Sequence, residues 1–245
     1  MNVDEMHKWA TAHLLRDVGR ATLAIGGFAG DGKTLPGTAF LYNHLVEQGP
    51  EYDRVVTFLV TAGALARCDM AEIWLRDDCI APPGPAADKL ISTRFAEEWT
   101  LAGSGADEFA VTPFAHYEEH ARSKGWSWDT QEITFGLCPK PDDWARFDRS
   151  WAYVVFHSEK DTFRPLTVTA NGLQRDGDRW TLARELPRGT LGSPIFSLQL
   201  ATRGDAVRLV IVGLVGDDRG PTPAVIPMSS VQALTAEIVD AADNQ

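Results

Sequence analysis

The spacing of apolar residues switches from helical to β type near Ala21, and that switch restricts the fold more than any other feature. Residues 3–17 place Met6, Trp9, Ala10, His13 and Leu14 at helical intervals, with Asp4 and Glu5 in the first turn where the helix dipole favours negative charge. After Ala21 the apolar runs are short. Residues 21–25, 37–42, 55–60, 72–75, 90–95 and 109–111 read as strands separated by Gly, Pro and Asp clusters. A second series occupies residues 153–156, 166–169, 180–183, 193–200, 207–215 and 224–226, and residues 231–239 close the chain as an amphipathic helix. Residues 115–150 between the two series are irregular, apart from a helix expected near 115–123. Trp126, Trp128, Trp144 and Trp151 are expected to pack this connection between two lobes. The pattern predicts an all-β protein with short helices at its two ends.

The chain has 245 residues, 44% of them apolar, which is enough to bury a substantial core in one compact unit. Its formal net charge of -11 argues against nucleic acid or an anionic membrane as partner, because either needs a basic patch. Cys68, Cys79 and Cys138 cannot all pair within one chain, and no Cys-x-x-Cys spacing suggests zinc or redox work. They read as free thiols of a reducing compartment. Asp4, Glu5 and Lys8 stand where a secretory leader needs a continuous apolar stretch, and no apolar run reaches the length of a membrane span. The expected location is the cytoplasm.

One loop carries a more specific pattern. Gly189, Thr190, Leu191, Gly192, Ser193 and Pro194 lead into Ile195 and Phe196, and this run resembles the nucleophile loop of trypsin-like serine peptidases. Further segments resemble that family in the same order. Gly37 to Leu41 is similar to its Gly-Thr-Gly-Phe strand, and Leu59 to Ala62 to the strand that delivers the catalytic histidine. Phe109 to Val111 matches the strand after the catalytic aspartate, and Pro165 to Gly172 a segment of bacterial members. Val212, Gly213 and Leu214 match the substrate-pairing strand, and Ala224 to Pro227 the run before a terminal helix. The resemblance covers about residues 19–240. It implies a trypsin-like double β-barrel of two six-stranded antiparallel barrels forming one unit, with the first barrel at 19–114, a connection at 115–150 and the second barrel at 151–228. Helices at 1–18 and 229–245 flank them.

At the three positions that carry the family's chemistry this sequence departs. The nucleophile position holds Leu191, which has no heteroatom to attack a carbonyl, and the histidine position holds Ala64, which cannot take a proton. The aspartate position holds Glu108, or Asp107 if the register slips by one. Gly189 and Gly192 still suit an oxyanion-hole-like turn of N–H groups that binds a carbonyl or carboxylate without reacting. The resemblance therefore implies a catalytically inactive homologue that binds an extended peptide or a partner protein. The expected binding residues are Gly189, Thr190, Leu191, Gly192, Ser193, Val212, Gly213 and Leu214, with no cofactor and no metal. The enzyme alternative is a residual or unconventional hydrolase using the remaining carboxylate, Ser193 or the His116/His120 pair, and the second alternative is a nucleotide-binding protein acting through the P-loop-like segment 27–34.

Two local motifs compete with this reading. Gly27, Gly32, Lys33 and Thr34 match the phosphate-binding P-loop letter for letter, but Leu35, Pro36 and Gly37 follow where that loop needs a helix. A turn at Asp31-Gly32 suits a β-hairpin instead. His116, Glu119 and His120 match the H-x-x-E-H order of inverted zinc peptidases, yet a third ligand must come from elsewhere. Of the eight tryptophans, Trp99 is expected in the core, and Trp126 and Trp128 are the candidates for an exposed contact surface.

Overall fold

The computed structural model describes residues 2–28, 34–82, 89–159, 165–200, 207–217 and 220–244. Helix α1 (Val3–Asp17) starts at a capping box: the Asn2 side chain accepts from the Glu5 N–H at 2.9 Å, and Glu5 accepts from the Asn2 N–H at 2.9 Å. Ala10 and Leu14, one turn apart, are its buried residues.

The first lobe contains β1 (Thr22–Phe28), β2 (Thr34–Glu47), β3 (Arg54–Ala62), the single-turn helix α2 (Gly63–Ala66), β4 (Met70–Trp74), β5 (Ile80–Ala81), β6 (Lys89–Ser92), β7 (Thr100–Ala102) and β8 (Phe109–Pro113). The connection follows with α3 (Ala115–Ser123), β9 (Ser127–Trp128) and β10 (Ile133–Thr134). Strands pair in the order β6-β4-β1-β2-β3-β8-β7, with β10 joined to β2 and β9 to β5. Leu23, Ile25, Leu41, Leu59, Ile73, Leu90 and Ala110, from six of these strands, share one core with Phe95 and Trp99. A sheet whose strands all reach a common core must curl around it.

The second lobe comprises β11 (Trp151–His157), β12 (Leu166–Asp176), β13 (Arg179–Leu182), β14 (Pro194–Leu200), β15 (Val207–Asp217) and β16 (Ala224–Pro227). They close into a barrel in the order β11-β12-β13-β16-β15-β14 around Val154, Leu173, Leu182, Ile195, Val212 and Val225. A third cluster joins the lobes. Phe40, Phe58 and Val60 of the first lobe meet Tyr153, Phe196 and Ile211 of the second. Leu14 of α1 and Val231 of α4 (Met228–Asp243) pack there too. Strands such as β3 are thus buried on both faces along their C-terminal half, which explains the continuous apolar run at residues 58–60.

The expected strands and both terminal helices are present, with three differences. The run at 90–95 does not stay extended: β6 ends at Ser92 and a 3-10 turn spans Phe95–Glu98, because the Phe95 N–H bonds the Asp69 carbonyl at 3.0 Å and swings its ring into the core. The tryptophans of the connection divide: Trp151 packs against the cluster that joins the lobes, while Trp128 and Trp144 each pack on one lobe. Trp128 packs on Phe114 and donates to the Tyr117 carbonyl, whereas Trp144 meets Trp180 of the second barrel. Trp126 and Trp128 are half-buried against each other instead of forming a free contact surface. Finally, the first lobe exceeds six strands, and among the described residues its end strands β6 and β7 do not pair with each other. No helix among the described residues is long and apolar enough to cross a membrane.

Candidate functional site

The loop between β13 and β14 is held inward against the first lobe. Gly189 and Gly192 have φ of 93° and 79°, the left-handed region that favours glycine. At Gly192 space is as restrictive as φ: an added Cβ would lie 2.3 Å from the Thr38 carbonyl oxygen and 2.9 Å from the Ala62 nitrogen. Thr38 of β2 fastens the loop. Its N–H donates to the Leu191 carbonyl at 2.8 Å and its hydroxyl donates to the Gly189 carbonyl at 3.0 Å. Within the loop, the Gly192 N–H is taken by the Val215 carbonyl and the Ser193 N–H by the Thr190 carbonyl, both at 2.9 Å.

The two expected binding elements are therefore closed off. Gly189, Thr190, Leu191, Gly192 and Ser193 are all buried, and of the two glycines expected to form an oxyanion-like turn Gly192 has its N–H bonded to the Val215 carbonyl. Val212, Gly213 and Leu214 are not at an edge. They lie in β15, which pairs with β14 on one side (Leu214 opposite Pro194) and β16 on the other (Leu214 opposite Ile226), so no peptide can add a strand there.

Leu191 fills the place where a serine would face a cleft. It is only 4% exposed and belongs to the core of the first lobe, with Leu59, Ala62 and Leu65. Ser193 Oγ is buried and, among the described residues, has no hydrogen-bond partner that could act as a base. The Thr190 hydroxyl donates to the Pro187 carbonyl at 2.8 Å.

The remaining two positions lie beside the loop. Ala64 sits on α2 with its methyl toward solvent. Glu108 stands directly beneath this turn: the Gly63 N–H donates to its carbonyl at 2.8 Å, and a Cβ on Gly63 would come within 2.4 Å of its Cγ. Its carboxylate is occupied. Arg67 holds it bidentately, Nε to Oε2 at 2.8 Å and Nη2 to Oε1 at 2.7 Å. These hydrogen bonds hold the Glu108 carboxyl below the usual carboxylate range, against a smaller opposing effect of burial. Asp107 is likewise paired, with Arg179 of β13 at 3.2 Å. Glu108 lies against the turn that carries Ala64, and Leu191 shares a core with Leu65 of that turn; Arg67, Arg179 and Thr38 were not singled out from the sequence. Arg67 had one legible signal, its place three residues after Ala64 on the same helical turn.

The competing motifs resolve differently. Residues 29–33 of the P-loop-like segment lie outside the described residues, but Phe28 pairs with Thr34 and β2 runs on from Thr34. A strand stands where phosphate binding needs a helix N-terminus. His116 and His120 share a face of α3 and line a cleft of about 230 Å³ with Ser92, Arg94, Glu98 and Tyr117. Glu98 receives the Ser92 hydroxyl at 2.5 Å and the Tyr117 hydroxyl at 2.7 Å, while His116 Nε2 is 4.0 Å away. Burial first, and the Glu98 charge second, raise the Tyr117 pKa and keep it a donor. Among the described residues no three His, Cys, Asp or Glu side chains are placed to hold a metal ion.

No protein-family model and no curated protein matches the chain. Solved structures do. Deg5 is similar over 94% of this chain and 93% of its own, at 11% identity and a TM-score of 0.50. A human pathogenic astrovirus serine protease is similar over 84% and 89%, at 15% identity and a TM-score of 0.40. The fold is the trypsin-like double β-barrel. At these identities the likeness is one of fold, and it leaves function to the residues of the site.

Proposed function

We propose that this protein is a catalytically inactive homologue of trypsin-like peptidases that acts by binding an extended peptide or a partner protein. The observation that supports this most is the use to which the three catalytic positions are put. Leu191 is packed into the core of the first lobe, Ala64 presents a methyl group, and the Glu108 carboxylate is spent on Arg67. Such a triad acts as a unit, and loss of any one member leaves about 10³–10⁴-fold acceleration over water. The location we propose is the cytoplasm, in keeping with three buried cysteines free of disulfides. The net charge of -11 favours a protein partner over nucleic acid or an anionic membrane.

Fluorophosphonate labelling of the purified protein, with mass spectrometry to locate any adduct and an active trypsin-like peptidase as control, tests the reading. No adduct is expected. A stoichiometric adduct on Ser193, Thr190 or another hydroxyl would establish a rearranged hydrolase instead.

A further inference from the structure

The loop that fastens the lobes leaves β13 through Ala183 and Arg184, and a side chain of β12 holds this exit in place. Asn171 is 3% exposed. Its Oδ1 accepts from the Arg184 N–H at 3.1 Å and its Nδ2 donates to the Arg184 carbonyl at 2.9 Å, so the carboxamide pairs with that residue as a neighbouring strand would. The same Oδ1 accepts from the Gly172 N–H at 2.8 Å. Close packing favours glycine at 172, where an added Cβ would lie 3.1 Å from that of Ala183. Asparagine followed by glycine is chemically a labile pair, because no side chain hinders attack of the glycine nitrogen on the asparagine Cγ. It occurs once in this chain, at 171–172.

We propose that Asn171 is a latent deamidation site, sealed while the loop between β13 and β14 is fastened and reactive when that loop lifts, so that modification makes a transient opening permanent. In the reaction the Gly172 nitrogen bonds to Asn171 Cγ and gives up its proton, and Nδ2 leaves as ammonia. Water then opens the cyclic imide. Cleavage of the bond to Cγ leaves aspartate, and cleavage of the bond to the main-chain carbonyl carbon leaves an isoaspartyl linkage through Cγ. In the fold neither nitrogen is free to react. The Gly172 N–H is directed at Oδ1, Nδ2 is held by Arg184, and pairing of Asn171 with Ala152 and of Gly172 with Trp151 keeps the backbone extended. Imide closure needs the Gly172 nitrogen to swing over Cγ, which a paired strand does not permit.

Either product damages the clamp. Aspartate puts an acceptor oxygen, in place of the Nδ2 donor, against the Arg184 carbonyl in a buried setting. An isoaspartyl linkage adds a carbon to the backbone of β12 and breaks its register with β11. Loss of the Arg184 contact loosens the start of the loop whose Gly189 and Leu191 carbonyls bond Thr38. The modification needs no ligand and is independent of what the protein binds.

The test is peptide mapping by mass spectrometry after incubation at neutral pH, on the native protein and on the same protein in guanidinium chloride, with aspartyl and isoaspartyl forms separated by chromatography. The denatured chain is expected to convert at residue 171, and the native protein at least about a hundredfold more slowly, because only its opened fraction reacts. Thr38→Val, which removes the hydroxyl bond to the Gly189 carbonyl, should speed conversion about tenfold. When a partly converted sample is diluted from denaturant, molecules that retain Asn171 should regain the native fold and converted ones should not. Equal rates in the native and denatured states, a Thr38→Val rate no faster than the native one, or converted molecules that refold as well as unconverted ones would each overturn the proposal.

Discussion

The second lobe is a closed barrel with every strand paired on both sides, whereas the first is a curled sheet that ends in β6 and β7. The closed lobe nevertheless supplies the loop that completes the open one. Leu191 packs in the first lobe's core, and Gly192 lies against β2 and β3. The loop between β13 and β14 fastens the lobes together. The comparison teaches that an open lobe can be completed by a loop of a closed one, since the glycines and cross-lobe hydrogen bonds of that loop tie the two together.

The most severe way to break this fastening is at Gly192. Gly192→Ala combines a left-handed backbone with overlaps against the Thr38 carbonyl oxygen and the Ala62 nitrogen, neither of which is a flexible side-chain end. The expected loss is about 4 kcal/mol or more in denaturant unfolding, or failure to fold. A loss under about 1 kcal/mol, in the range of an ordinary surface change, would mean that the loop is not clamped between the lobes.

Leu191→Ala separates the packing contribution from the backbone one. Removing a side chain that is 4% exposed in a shared core should cost about 3 kcal/mol. Leu191→Ser should cost at least as much, because it adds an unpaired hydroxyl to the same cavity. The two variants, compared by urea unfolding, show whether the leucine is selected for stability. Unchanged midpoints would return the position to a solvent-facing cleft.

Arg67→Ala is a smaller perturbation, at the exposed rim. Glu108 has its carboxyl held below the usual range by Arg67, so the pair stabilises the fold above the ordinary carboxylate pKa of about 4.3, and that contribution is lost as pH falls through the lowered folded value. The variant should melt slightly earlier than the native protein at pH 7 and together with it in strong acid. Its Glu108 carboxyl resonance should titrate at higher pH. A titration that does not move would show that Arg67 does not control this carboxylate.

Much of the two-lobe order was legible in the sequence because strand periodicity and turn chemistry are local. Residues 3–17 and 115–123 form helices at the bounds their spacing predicts. What was not legible depended on contacts between distant segments. The run at 90–95 has strand-like composition throughout, and only the hydrogen bond from Phe95 to Asp69 turns it away. Val212–Leu214 reads as a substrate-pairing edge until its two neighbours, β14 and β16, are in place. Gly189–Ser193 keeps the letters of a cradle, while the Gly192 N–H is taken by Val215, which no spacing rule relates to it. The capture of Glu108 by Arg67 likewise joins residues 41 apart.

That capture bears on the last and smallest expected effect, the result of restoring two residues. Ala64→His with Leu191→Ser returns a base and a hydroxyl to their positions, and by composition alone would rebuild the triad. In this structure the third member is not available to it. The carboxylate that must orient an imidazole is held by both nitrogens of the Arg67 fork, and Glu108 is pinned against Gly63 by the backbone bond and the close approach of its Cγ. A histidine at 64 would stand on an exposed turn beside a carboxylate already satisfied, with neither its tautomer nor its direction fixed. The double variant should therefore show no ester hydrolysis above background and no fluorophosphonate label, while adding Arg67→Ala should give the first detectable labelling at Ser in place of Leu191. Robust hydrolysis by the double variant alone would show that Glu108 exchanges freely between guanidinium and imidazole, and that the Arg67 pair is no barrier to catalysis.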